Sequence, residues 1–275
     1  MEKRPMLERI LQREKDSNPA ALRARARRKI GIWGMSSGAG VTLLAFSIAR
    51  YIANLKREAP ALLELSDGDE GHAGWNYDAI GIDKRFVGRE YFSYYRGVSE
   101  GRHIKDALNM DEGINWALRI PVEADCCLDL QQMTSLINNV AGDITVCDFS
   151  SRLCLGVENA GDRDECFRRL LRDMSLIIFV VDPAPSKLLG GAARLSLIKE
   201  LEHAGANVLY VINKFQRGVN RKEVLGFLKP ARKALIGHIA ADAIYEAEYG
   251  CKNPFQMAQV KEAVAPAIET ALGMM

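Results

Sequence analysis

Residues 30–42 join an apolar strand pattern to a helical pattern through a glycine-rich turn. The turn reads Gly-Met-Ser-Ser-Gly-Ala-Gly-Val-Thr over residues 34–42. Glycine permits the sharp backbone turn, and the turn brings several N–H groups together with the N-terminus of the following helix. This pattern predicts an α/β unit whose loop can hold a phosphate group through its backbone.

Val41 distinguishes this loop from an ordinary phosphate loop. Lysine normally precedes the threonine and carries a positive charge to the β- and γ-phosphates, whereas valine contributes only its backbone N–H there. We therefore predict a cradle that keeps its shape without its own cation. The predicted cradle residues are Ser37, Gly38, Ala39, Gly40, Val41 and Thr42.

Short apolar runs alternate with helical patterns along the rest of the chain. The predicted strands cover residues 29–33, 61–65, 114–120, 144–147, 176–181 and 207–212. The predicted helices cover residues 42–56, 102–109, 129–140, 163–173, 187–204 and 221–235. This alternation is typical of an α/β fold with a predominantly parallel, doubly wound sheet and helices on both faces. Residues 67–101 lack a clean period and are expected to form an irregular excursion over the carboxyl edge of the sheet.

Two strand ends carry polar residues that suit nucleotide chemistry. Asp148 follows the apolar run 144–147, where a carboxylate can hold Mg²⁺ or its water beside the loop residue Thr42. Asn213 and Lys214 follow the run 207–212, and an amide offers both a donor and an acceptor to a purine edge. Because ligands of parallel sheets bind beyond the carboxyl ends of the strands, these residues belong with the loop.

Composition is that of a globular protein of 275 residues with 48% hydrophobic content. No apolar run reaches the roughly 20 residues of a membrane span, and no signal-peptide pattern precedes the first strand, so we expect a cytoplasmic protein, with peripheral membrane association left open. The six cysteines include no Cys-x-x-Cys pair, which favours reduced thiols over a disulfide framework or a zinc site.

The positive charge is concentrated at the N-terminus. Residues 1–29 carry ten Lys or Arg and four Asp or Glu, a net charge of +6, although the whole chain has only +2. We expect residues 1–28 to form a basic arm ahead of a single domain at 29–275. A solvated arm and an arm that contacts an acidic partner, nucleic acid or an anionic membrane through residues 2–29 are both consistent with this composition.

The order of loop, strand-end aspartate and Asn-Lys pair resembles the MinD/ParA family of P-loop ATPases. The deviant Walker A loop of that family reads Lys-Gly-Gly-x-Gly-Lys-Thr, and residues 36–42 occupy its seven positions. The similarity extends from about residue 29 to the C-terminal helix. It implies ATP or ADP with Mg²⁺ as cofactor, a metal-associated role for Thr42 and Asp148, and base contacts from Asn213, Lys214 and Asp242.

Three departures from the family pattern indicate a degenerate loop and a pseudo-ATPase. Ser36 replaces the lysine that reaches the partner's nucleotide in a family dimer, and Val41 replaces the lysine that binds phosphate in the same subunit. The family's Asp-x-Asp pair after the second strand corresponds to residues 64–66, Glu-Leu-Ser. Since each such charged group contributes about 2.7–4 kcal/mol to the transition state, we expect little hydrolysis.

The nearest analogy among degenerate members of the family is the TadZ/CpaE group of pilus assembly proteins. It implies a protein that positions or scaffolds a secretion or pilus assembly, with a protein partner in a membrane-associated complex and a homodimer left open. Two alternatives remain. One is an active ATPase whose unorthodox loop is completed by a partner or second subunit, and the other is a ParA-like protein that associates with DNA through its basic arm.

Overall fold

The computed structural model describes residues 28–65, 74–121, 126–149 and 160–275. Its strands are β1 (Arg28–Gly34), β2 (Pro60–Glu64), β3 (Met110–Asp111), β4 (Ile114–Ala117), β5 (Ile144–Phe149), β6 (Leu176–Val181), β7 (Val208–Phe215) and β8 (Lys233–Gly237). They form one sheet in the order β3-β4-β2-β5-β1-β6-β7-β8. Only the β3–β4 pair is antiparallel, so the predicted α/β fold with a predominantly parallel sheet is confirmed.

Helices cover both faces of this sheet. They are α1 (Val41–Leu55), α2 (Trp75–Ala79), α3 (Ile82–Arg85), α4 (Tyr94–Ser99), α5 (Leu130–Asn139), α6 (Ala160–Arg172), α7 (Pro185–Gly190), α8 (Ala192–His203), α9 (Arg221–Leu228), α10 (Ala241–Tyr249) and α11 (Ala258–Leu272). One core layer joins α1 and α11 to the sheet, and the other joins α5, α6 and α8 to the opposite face. Both faces are buried, which explains why β6 reads as an unbroken apolar run.

Two predicted helices are wrong. Residues 102–109 form an irregular segment with one turn at 105–106, because Ile104 is buried while Leu108 is 58% exposed and the segment has no continuous apolar face. The helix predicted over 221–235 ends at Leu228, since Pro230 lacks the N–H that would continue it. The following residues form β8 at the edge of the sheet, which the sequence pattern did not predict.

Other boundaries differ because of glycine turns. The helix predicted over 187–204 is divided into α7 and α8 at Gly191, where a Cβ would lie only 2.4 Å from Met35 Cγ. The strand predicted over 114–120 ends at Ala117 and pairs with β3 through a tight turn at Glu112 and Gly113, both with positive φ. In the described part of the excursion at 67–101, the chain forms the short helices α2, α3 and α4.

The described structure begins at the first strand and includes one disulfide-bonded cysteine. β1 begins at Arg28, whereas residues 1–27 of the predicted arm lie outside the described residues. The structure records Cys127 as disulfide-bonded, so the expectation of reduced thiols is wrong at that residue. No helix in the described ranges is long and apolar enough to cross a bilayer.

Candidate phosphate-binding loop and its surroundings

The predicted loop connects the end of β1 to the start of α1 and has the backbone conformation of an anion cradle. Gly38 has φ 72°, and Gly40 caps α1 with φ 97° and ψ 28°. Gly40 has no side chain with which to cap α1, and the N-terminus of α1 makes no side-chain cap hydrogen bond within the described residues. A 15-residue helix with an uncapped N-terminus beside a glycine turn favours a bound anion at this point.

Val41 packs into the core and takes no part in the polar lining of the loop. Its side chain is 5% exposed and belongs to the apolar layer formed with α1. A Cβ on Gly34 would lie 2.8 Å from Val41 Cγ2, which shows how closely the valine packs against the end of β1. The loop therefore presents backbone groups to a ligand and has no cation of its own at this position.

The two serines of the loop have different surroundings. Ser37 is exposed at the tip of the loop. The Ser36 hydroxyl is buried and has no hydrogen-bond partner within the described chain. Buried hydroxyl groups normally have a partner, because an unmade hydrogen bond costs about 1–3 kcal/mol. A ligand or a water molecule in the cradle would supply the missing bond.

Asn213 and Lys214 lie against the loop, as the sequence predicted for the ligand edge. Asn213 Nδ2 donates to the Ala39 carbonyl at 2.8 Å, and its Oδ1 accepts from Lys214 N at 2.8 Å. Lys214 Nζ donates to the Gly38 carbonyl at 2.7 Å. The nitrogen and the oxygen of the Asn213 amide therefore each make a hydrogen bond within the protein. The contact of Asn213 with a purine stays a prediction.

Sequence reasoning missed two further cations that α7 and α8 bring to the loop. Lys187 Nζ lies 3.5 Å from the Ser37 carbonyl, and Arg194 Nη1 donates to the Gly34 carbonyl at 2.9 Å. The Arg194 guanidinium also lies 5.5 Å from the centre of the Trp33 ring. The sequence pattern predicts one continuous helix for the segment that contains both residues. The break at Gly191 divides this segment into α7 and α8, which place Lys187 and Arg194 beside the loop.

Asp148 and Glu64 place two buried carboxylates on the same face of the sheet as α1. They are aligned in the β2–β5 register, and Asp148 is also aligned with Ile32 of β1. Their exposures are 1% and 2%. Because side chains alternate along a strand, both project with the neighbouring core residues Val146 and Leu62 onto the α1 face.

Thr42 and Asp148 fit a magnesium ion in donor chemistry. Thr42 lies in the first turn of α1. Mg²⁺ prefers hard oxygen ligands from one or two side chains together with phosphate oxygens and water. No group of three His, Cys, Asp or Glu residues in the described ranges forms a metal site by itself. Thr42 and Asp148 would hold the ion, which would neutralise phosphate charge when bound.

Glu64 has a structural role that the sequence did not reveal. Its Oε1 accepts from Asn76 Nδ2 at 2.7 Å, and its Oε2 accepts from the backbone N–H of Arg119 at 3.1 Å. Arg119 is 1% exposed, lies over the Tyr95 ring and donates to the Cys126 carbonyl. Arg119 is a charged residue near the end of the predicted strand 114–120, and this was the sequence feature that could have indicated the cluster. Ser66 lies outside the described residues.

Asp242 makes no hydrogen bond to the loop within the described residues. It is exposed in the first turn of α10, where its Oδ1 accepts from the backbone N–H of Ala243 at 2.9 Å. It lines a cavity of about 370 Å³ with Glu246 and Gln256, and no loop residue lines that cavity. The predicted contact of Asp242 with a base stays a prediction.

Similarity to solved structures agrees with this geometry. No protein-family model and no curated protein matches the chain. The cell division ATPase MinD of Pyrococcus furiosus is 16% identical over 90% of this chain and 99% of its own, with a TM-score of 0.65. MinD of Pyrococcus horikoshii, complexed with Mg-ADP, is 16% identical over 88% and 95%, with a TM-score of 0.63. A ParA family ATPase of Chlorobium tepidum is 14% identical over 90% and 98%, with a TM-score of 0.58. The chain thus has the α/β fold of the MinD and ParA ATPases.

Proposed function

We propose that this protein binds ATP or ADP with Mg²⁺ through a backbone cradle and uses the nucleotide as a structural or switching ligand without hydrolysing it at a useful rate. The cradle comprises residues 37–42, with Asn213 and Lys214 behind it and Thr42 and Asp148 at the metal position. In this proposal the protein positions or scaffolds a cellular assembly of the secretion or pilus type. The adenine edge is read by Asn213 or Asp242.

One observation carries this proposal. The elements that bind phosphate without charge are retained, because Gly38 and Gly40 have positive φ and the N-terminus of α1 is uncapped. The element that stabilises the transferring phosphate is absent, because the Val41 side chain is buried in the apolar core. Binding and hydrolysis depend on different groups, which supports a cradle that binds nucleotide without hydrolysing it. The Mg-ADP complex of the similar MinD supports the choice of ligand.

A thermal-shift titration tests nucleotide binding. Mg-ADP and Mg-ATP should each raise the melting temperature with a logarithmic dependence on ligand concentration, since a ligand at 100 times its Kd stabilises the fold by about 2.7 kcal/mol. We expect similar shifts for the two nucleotides. The reason is that loop N–H groups hold the α- and β-phosphates, while the lost lysine served the β- and γ-phosphates. An unchanged melting temperature at millimolar nucleotide would exclude binding.

Restoring the loop lysine should selectively strengthen ATP binding. We expect Val41→Lys to increase Mg-ATP affinity by about tenfold and Mg-ADP affinity by less, because a charge-assisted bond to phosphate contributes about 1.5–3 kcal/mol. Val41→Met is the matched control, since it also replaces the buried valine with a long side chain but adds no charge. Calorimetric titration of the three proteins measures both affinities. Equal gains for the lysine and methionine variants would assign the effect to packing.

The active-ATPase alternative has one structural feature in its favour. Ser37 and Gly38 are exposed at the tip of the loop, so a cation from a partner or a second copy of the chain could reach the phosphates from outside. ATP turnover that rises with the square of protein concentration would support a second copy. The DNA-associated alternative depends on residues 2–29, of which residues 2–27 lie outside the described part, and it predicts binding with a steep salt dependence that is lost on truncation.

A further inference from the structure

The backbone at Lys214 departs from regular strand geometry where β7 meets the loop. Lys214 has φ 54°, a left-handed conformation that costs a non-glycine residue about 1–2 kcal/mol. The register between β7 and β8 shifts between Ile212 and Phe215. In a regular strand, Asn213 and Lys214 would project to opposite faces of the sheet. The irregularity directs both side chains to the loop, where each donates a hydrogen bond.

The contacts of these residues fall on successive carbonyl groups of the loop. Lys214 Nζ holds the Gly38 carbonyl at 2.7 Å, and Asn213 Nδ2 holds the Ala39 carbonyl at 2.8 Å. Lys187 Nζ approaches the preceding carbonyl, that of Ser37, at 3.5 Å. Three consecutive peptide groups are therefore contacted from outside the loop by donors from β7 and α7.

Because the peptide group is planar, the direction of each contacted carbonyl fixes the direction of the N–H group in the same peptide. In a trans peptide, the N–H of one residue points opposite to the carbonyl of the residue before it. Outward carbonyls at Ser37 and Ala39 turn the N–H groups of Gly38 and Gly40 to the other side, and neither N–H donates a hydrogen bond within the described chain. The N–H between them, that of Ala39, closes a turn with the Ser36 carbonyl at 3.3 Å. Convergent N–H groups of this kind form an anion-binding nest.

We propose that Asn213, Lys214 and Lys187 act together as positioning residues that preorganise this nest. Asn213 and Lys187 orient the peptide groups of the Gly40 and Gly38 N–H groups, and Lys214 fixes the peptide group between them. The inference rests on the proposed nucleotide-binding function and specifies how the site keeps affinity without a loop lysine. Lys214 is itself fixed by Asp182, whose Oδ2 lies 2.9 Å from Nζ and whose Oδ1 accepts from the N–H of Ala184. Because Lys214 is paired with Asp182, it acts on the loop through its hydrogen bond to the Gly38 carbonyl and supplies no unpaired charge to a phosphate. This arrangement accounts for the strained backbone at Lys214, because strain at one residue is retained where it positions a site.

The chain contains a matched control for this arrangement. Lys199 Nζ also bridges a carbonyl and a carboxylate, at 2.7 Å from the Lys229 carbonyl and 2.9 Å from Glu202 Oε2. Lys199 lies on α8 and contacts no loop residue through these bonds. A change at Lys199 removes the same kind of contact without touching the nest.

Amide hydrogen exchange of Ala39, without nucleotide, tests the inference on the full chain, because its N–H belongs to the peptide group that Lys214 holds and donates to the Ser36 carbonyl. We expect Lys214→Ala to increase exchange of this amide about tenfold, while Lys214→Arg preserves the slower exchange and Lys199→Ala leaves it unchanged. Lys214→Gly should raise loop exchange equally without lowering the melting temperature, because glycine relieves the left-handed strain. Mg-ADP affinity should fall about tenfold in the alanine and glycine variants and be restored in the arginine variant.

Loop exchange that is unchanged in both Lys214→Ala and Lys214→Gly, or that rises equally in Lys199→Ala, would overturn the inference. Lys214→Ala could increase loop exchange although the unaltered protein binds no nucleotide. That result would support the positioning role of Lys214 and reject the proposed function. The two failures are therefore separate, because the exchange measurement needs no ligand.

Discussion

We expect purified protein incubated with Mg²⁺ and ATP to release inorganic phosphate no faster than ATP alone releases it. This is the largest effect that we expect relative to a working P-loop ATPase, because Val41 and Ser36 replace two cations that would stabilise the transferring phosphate. Loss of one such group typically lowers turnover by about 10²–10³. Glu64 does not compensate, since both its carboxylate oxygens accept hydrogen bonds within the protein.

Asp148→Asn is the control for that experiment. The substitution keeps the size of a side chain that is 1% exposed and removes the charge that would hold Mg²⁺. Phosphate release that is measurable in the unaltered protein and abolished in Asp148→Asn would reject the pseudo-ATPase account. Release that is identical in both proteins would come from a contaminating enzyme. The assay is most sensitive with protein in excess over nucleotide, where a single turnover is detectable.

Gly40→Ala should lower the free energy of unfolding by about 2–3 kcal/mol, the largest stability effect that we expect from a single methyl group in the loop. Two costs add: a non-glycine residue in the left-handed region costs about 1–2 kcal/mol, and a lost hydrogen bond costs about 1 kcal/mol. The second cost arises because the added Cβ would lie 2.3 Å from Asn213 Nδ2 and displace it from the Ala39 carbonyl. Urea denaturation measures the difference as a lower midpoint with an unchanged slope.

Gly38→Ala is the matched control for Gly40→Ala. Gly38 also has positive φ, at 72°, but a Cβ there would meet no atom within 4 Å. Gly38→Ala should cost only the left-handed backbone conformation, about 1–2 kcal/mol. Equal destabilisation by the two substitutions would show that the contact between Asn213 and the loop contributes nothing to stability. A loss of nucleotide binding that accompanies Gly40→Ala alone would connect this contact with the site.

Local patterns allowed the grouping of the candidate site residues at one edge of the sheet to be predicted from the sequence, and their ligand contacts stay predictions. The loop glycines, Asp148 and the Asn213–Lys214 pair each follow an apolar strand, and the parallel topology brings these strand ends to one edge of the sheet. The C-terminal helix α11 packs on the sheet, with Val260, Val264 and Ile268 buried.

The remaining features depend on contacts between distant segments. β8 is a strand only because it pairs with β7, and Lys214 faces the loop only because of the irregularity in that pairing. Gly191 divides α7 from α8 because Met35 lies against it. Each of these features reflects tertiary packing that overrides local propensity, and a single sequence gives no direct sign of such packing.

The central claim is that the cradle holds a nucleotide that it does not hydrolyse. Phosphorus-31 NMR of a stoichiometric mixture of protein, Mg²⁺ and ATP tests both parts of this claim in one measurement. We predict that the β- and γ-phosphate resonances shift or broaden on addition of protein while the γ-phosphate intensity stays constant over hours. Unperturbed ATP resonances would show that the cradle is empty, and inorganic phosphate that accumulates only in the protein sample would show that the loop still catalyses hydrolysis.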